Sequence, residues 1–63
     1  MKYYINCKKV AHDTAKALLV LCANQKGMDI YDIDDIWANR YSEEGRELIF
    51  DLSDCQLEII ADS

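Results

Sequence analysis

The chain has 63 residues, no proline, two glycines, three cysteines and a net charge of −5. A chain of this length is one domain and buries only about 60% of the surface its unfolded form exposes. Its apolar content argues against disorder, no apolar run approaches the roughly 18 residues of a membrane helix, and it lacks the clustered Lys and Arg that direct nucleic-acid binding requires.

Further features bound the environment. Fifteen valines, leucines and isoleucines suffice for one small core. The longest apolar run, "ALLVLCA" at 17–23, lies inside the chain. The opening "MKYYINCKKV" lacks the apolar stretch of a secretory signal. An odd number of cysteines at no recognisable spacing suits free thiols in a reducing compartment. A cytoplasmic protein is therefore expected. Charge is unevenly spread: residues 1–26 carry five lysines against one aspartate, and residues 27–63 carry two arginines against eleven carboxylates.

In chain order, "KYYINCKKV" reads as β, with Tyr3, Ile5 and Cys7 on one side and Lys2, Tyr4 and Asn6 on the other. Either Asn6-Cys7 or Cys7-Lys8 forms a tight turn with Lys9 and Val10 returning, or a plain strand ends in a bend. The second turn position normally takes glycine, and cysteine there is a departure. A helix follows over about 12–26, with His12 or Asp13 at its N-cap and Gly27 as the left-handed residue beyond its end. Ala11, Ala15, Leu18, Leu19 and Cys22 form its apolar stripe. Leu21 and Ala23 widen that stripe, and Ala17 and Val20 lie on the far face. More than half the circumference is apolar, which suits a central helix or a second contact surface.

Residues 28–31 read as a link. A second helix is expected over about 32–41, with Asp32 at the N-cap and Asp34 and Asp35 in the first turn, where carboxylates meet the positive end of the dipole. Ile33, Ile36, Trp37, Arg40 and Tyr41 share one face, and Asp29 is left without a structural task. "YSEEG" reads as a loop. "RELIFDL" alternates, Leu48, Phe50 and Leu52 against Glu47, Ile49 and Asp51. "QLEIIAD" does the same, Leu57, Ile59 and Ala61 against Gln56, Glu58 and Ile60. The two runs predict a C-terminal antiparallel hairpin. The expected fold is a single α+β domain over 1–63, in the order β-α-α-β-β, with the helices on one face of the sheet. A mixed sheet is the alternative, because a two-helix crossover could return parallel to the first strand.

The motifs that carry chemistry are sparse. A calcium loop started at Asp32 fails, since Ile36 and Trp37 fall where an oxygen ligand and a glycine are required. Cys7, Cys22, Cys55 and His12 lack the paired spacing of zinc sites, and Cys22 fits the core stripe as a small hydrophobe. Lys8 and Lys9 beside Cys7, with His12 and Asp13, sketch a Cys-His-Asp set, but triads are defined by geometry. No Gly-rich phosphate loop, nucleophile elbow or H-E-x-x-H occurs. A non-catalytic protein with no cofactor and no metal is expected. Trp37, Tyr41 and Phe50 are assigned to the core, and Tyr4 and Tyr31 to outer faces.

Asp29, Tyr31, Asp32, Asp34, Asp35, Glu43 and Glu44 form the candidate partner-binding surface. Such carboxylates keep a small protein soluble. They also imitate phosphates and suit a basic groove on a protein partner, with association that weakens as salt rises. One alternative is a homodimeric structural or adaptor module, motivated by the wide apolar helix and by Ile49 and Ile60 on the outer face of the sheet. Another is a thiol- or zinc-dependent protein. The short acidic chain, its "KYYIN-x-KKV" opening and its α+β layout resemble the small accessory proteins of bacteriophages, anti-CRISPR and other anti-defence inhibitors among them. That resemblance implies an inhibitor acting in the host cytoplasm, blocking a nucleic-acid-binding site. It concerns size, charge and layout and assigns no individual residue.

Overall fold

The computed structural model describes residues 1–61, so the last residue of the "QLEIIAD" run, Asp62, lies outside the described residues. The chain opens with strands β1 (Lys2–Ile5) and β2 (Lys8–Val10), joined by a two-residue turn at Asn6 and Cys7. Both turn residues have positive φ, 50° and 70°, the geometry whose twist matches a right-handed hairpin. Cysteine therefore occupies a position where glycine is preferred.

Helix α1 (His12–Gln25) follows after Ala11, whose side chain makes no capping bond. The N-cap is thus neither His12 nor Asp13, which lie within the first turn. Its end is as expected: Gly27 has φ 83°, and its N–H and that of Met28 donate to the Asn24 and Ala23 carbonyls at 3.0 and 3.1 Å, closing the orphan carbonyls of the last turn.

Helix α2 (Ile30–Ala38) begins two residues earlier than expected and ends three earlier. Asp29, not Asp32, is its cap: the carboxylate accepts from the Tyr31 and Asp32 N–H groups at 2.8 and 3.1 Å. The supposed link at 28–31 therefore contains the cap and the first turn, and Arg40 and Tyr41 lie beyond the helix.

The largest correction concerns 43–52. "YSEEG" and "RELIFDL" are not a loop and a strand but the start and body of helix α3 (Glu43–Leu52). Ser42 caps it, its Oγ accepting from the Gly45 N–H at 3.0 Å, and Glu43 and Glu44 occupy the positive end of the dipole. Over seven residues the apolar run fits both a period of two and a helical face, and length alone cannot separate them. Ser42 followed by two glutamates was the deciding local signal. At helical spacing, Gly45 and Ile49 point inward and are buried, so Ile49 belongs to the core and not to an outer sheet face. Phe50 is 38% exposed, and Tyr41, in the α2–α3 connection, is 63% exposed; neither is a core residue.

After α3 the chain reverses through Asp54 and Cys55, both with positive φ. Their N–H groups return to Asp51 O and Phe50 O at 3.2 and 2.9 Å, the same capping arrangement as at Gly27. Strand β3 (Leu57–Ile60) then runs antiparallel to β1. Among the described residues no C-terminal hairpin forms. The element order is β-β-α-α-α-β, and the sheet is wholly antiparallel, ordered β2-β1-β3, with the first strand central. Tyr3 pairs with Val10 on one side and Ile59 on the other. The expected alternation of β3 holds, Leu57 and Ile59 being buried and Glu58 and Ile60 exposed. The core joins Tyr3, Leu57 and Ile59 of the sheet to Ala15, Leu19 and Ala23 of α1, Ile33 and Trp37 of α2, and Ile49 of α3.

Candidate protein-binding surface

The α2–α3 pair forms a helical hairpin whose tip is held by Arg40. Its Nε donates to Tyr3 Oη at 3.0 Å, Nη1 to the Trp37 carbonyl at 2.9 Å and Nη2 to Tyr41 Oη at 2.9 Å. The guanidinium carbon lies 4.7 Å from the Trp37 ring centroid and 4.5 Å from that of Tyr41. A planar fork stacked between two rings and bonded to a helix-end carbonyl is a task that lysine cannot perform. Tyr3 stacks on Trp37 at 5.7 Å, and His12 meets both rings edge-on. This cluster fixes α2 against the sheet.

The two helices approach closely at Gly45. A Cβ there would collide with the Asn39 carbonyl, and Ser42 Oγ stands 3.0 Å away. The Asn39 oxygen accepts from the Ser42 N–H and hydroxyl at 3.1 and 2.9 Å. Glycine is required here for closeness, not for an unusual φ.

The structure divides the expected acidic patch. Asp29 is spent on capping α2. Asp34 turns toward α1, with Lys16 Nζ at 3.5 Å from its Oδ1. Tyr31 and Asp32 are exposed on α2, Tyr31 at 79%, and Glu43 is exposed at the start of α3. Asp35 and Glu44, from different helices, share one site. They line one shallow groove of about 280 Å³ together with Ile36, Asn39, Ser42, Gly45 and Leu48. Sequence reasoning missed Ile36 and Leu48 as its apolar lining, because Leu48 was assigned to a strand and Ile36 to the interior.

The other candidate chemistries are set apart by the fold. Among the described residues no three His, Cys, Asp or Glu side chains gather where they could hold a metal ion. Cys22 is buried in α1, and Cys7 and Cys55 are exposed in turns. Cys7 sits at the tip of the hairpin and His12 beyond the far end of β2, separated by roughly 15 Å of extended chain. His12 Nδ1 lies 3.0 Å from Asp13 Oδ1, so two members of the sketched Cys-His-Asp set meet while the nucleophile stands away. No helix among the described residues is long and apolar enough to cross a membrane. Comparison with protein-family models, curated proteins and solved structures returns no match.

Proposed function

We propose that this chain is a non-catalytic binding protein that docks its acidic α2–α3 surface on a basic, nucleic-acid-binding site of a partner protein. The reading is carried by the groove in which α2 supplies Asp35, α3 supplies Glu44, and Ile36 and Leu48 give an apolar lining. Carboxylates around apolar side chains suit a basic amphipathic segment, whose charges are steered in and whose apolar side chains are then desolvated. The net charge of −5 adds long-range attraction toward such a partner. In keeping with the resemblance to phage inhibitors, the partner's nucleic acid and this chain would compete for one site.

The test is capture of a partner from host lysate by the tagged chain, followed by competition with nucleic acid. Asp35→Asn with Glu44→Gln should lower capture by about tenfold, and capture should weaken as salt rises. Asp34→Asn, which removes a carboxylate turned toward Lys16, should change it little. Equal capture by the double variant, or indifference to salt, would remove the reading. The homodimer alternative loses Ile49 to the core and keeps the exposed Leu21 and Ile60. A monomer mass by light scattering at tens of micromolar counts against it.

A further inference from the structure

The two edges of the sheet are built differently. The β2 edge is three residues long and begins with Lys8 and Lys9, charges that commonly keep an edge from pairing with another chain. The β3 edge carries one charge, Glu58, and leaves Ile60 45% exposed. The direction of its backbone groups follows from the hydrogen-bond parity of an antiparallel ladder. Asn6 N–H donates to Gln56 O at 3.0 Å, and the register pairs Tyr4 with Glu58 and Lys2 with Ile60. Glu58 and Ile60 therefore spend their backbone groups on β1, while Leu57 and Ile59 turn theirs to the open edge. The Leu57 N–H is taken by Ser53 Oγ at 2.9 Å. The Leu57 carbonyl and both groups of Ile59 are left facing outward.

Beside that edge lies a groove of about 460 Å³ between α3 and β3, lined by Arg46, Glu47, Phe50, Asp51, Glu58 and Ile59. Half-exposed Phe50 is its apolar contact. Three carboxylates and one guanidinium line it, and Arg46 already donates to the Tyr41 carbonyl at 2.7 Å. A negative surplus beside free strand groups selects the occupant.

We propose that the β3 edge accepts an extended segment of a protein partner as a fourth strand, and that this segment alternates apolar and basic residues. A residue opposite Ile59 would exchange backbone hydrogen bonds with it and place its side chain over Phe50. Its neighbours would project to the opposite face, where a lysine or arginine meets Glu58, while Glu47 and Asp51, on the groove side with Phe50, attract that charge only at longer range. This is strand addition, in which the main chain supplies affinity and alternate side chains supply choice. A second copy pairing through its own β3 edge fits less well, because it would bring the same surplus of carboxylates to the groove, and its basic β2 edge is only three residues long. The site is separate from the α2–α3 groove, and its test does not depend on that reading.

The experiment uses the full chain and a blocked Lys-Val-Lys-Val-Lys peptide, with amide hydrogen exchange read by NMR. At saturating peptide the Ile59 amide should exchange at least about tenfold more slowly. The same peptide with both valine nitrogens methylated keeps its charge but loses its donors, and should give no protection of Ile59. Glu58→Lys, at an exposed position, should weaken binding of the unmethylated peptide by about fivefold or more. Equal binding of the two peptides, or peptide binding that leaves the Ile59 amide unprotected, would overturn the proposal in favour of plain charge attraction. Protection of Ile59 that grows with protein concentration in the absence of peptide would overturn it in favour of a second copy.

Discussion

Replacing Gly45 by alanine sets two physical rules against each other. Helix propensity alone predicts that Gly45→Ala stabilises the chain by about 1 kcal/mol, since glycine is costly inside a helix. The structure predicts the reverse. The new methyl would collide with the Asn39 carbonyl at the α2–α3 contact, so one helix must retreat by roughly 1 Å to restore ordinary van der Waals separation. That retreat strains three hydrogen bonds: Ser42 N–H and Ser42 Oγ to Asn39 O, and Gly45 N–H to Ser42 Oγ. Each is worth about 1 kcal/mol net, and overpacking adds about 1–3 kcal/mol. After subtracting the propensity gain, Gly45→Ala should destabilise by about 3 kcal/mol, a large part of the total for so small a domain. The chain has a single tryptophan, Trp37, and it is buried in the core. Urea unfolding followed by its fluorescence reads the loss directly, and the melting temperature should fall by about 20 °C. A variant as stable as the parent, or more stable, would mean that α2 and α3 do not approach at this point, and the α2–α3 groove would go with it.

Other substitutions probe the remaining joints. Arg40→Ala should cost about 3 kcal/mol by urea unfolding, because it removes three hydrogen bonds and the stacking on Trp37 and Tyr41. Arg40→Lys should recover less than half of that, and full recovery would show that charge alone matters. Ser53 is fully buried, donating to Phe50 O and accepting from Leu57 N–H at 3.0 and 2.9 Å. Ser53→Ala should cost about 1–3 kcal/mol by orphaning that N–H, and a neutral result would show that the α3–β3 turn opens to water. Cys7→Gly should stabilise by about 1 kcal/mol, since Cys7 holds φ 70° in a turn that favours Asn-Gly. A loss of stability on that change would mean that the cysteine side chain has a structural task.

Much of the fold was legible because it rests on rules that reach only a few residues along the chain. Gly27 with the apolar stripe of α1 marked a helix and its end. Alternation marked Leu57 and Ile59 as inward and Glu58 and Ile60 as outward. Aspartates before an apolar pattern marked α2, although the cap was Asp29 and not Asp32. The run 46–52 reads equally as strand or helix because short apolar stretches satisfy two periods at once, and the α3 cap at Ser42 lies in a stretch with the composition of a loop.

What the residues settle by themselves is the alphabet of elements, one small α+β core and the sign of the surface charge, because capping, turn chemistry and periodicity act locally. Tertiary structure alone placed β3 against β1, sent Ile49 inward and Phe50 outward, and set Asp35 and Glu44 along one groove while turning Asp34 toward Lys16. Those outcomes depend on contacts between distant segments, which form only when burying apolar surface outweighs the entropy of closing the chain between them.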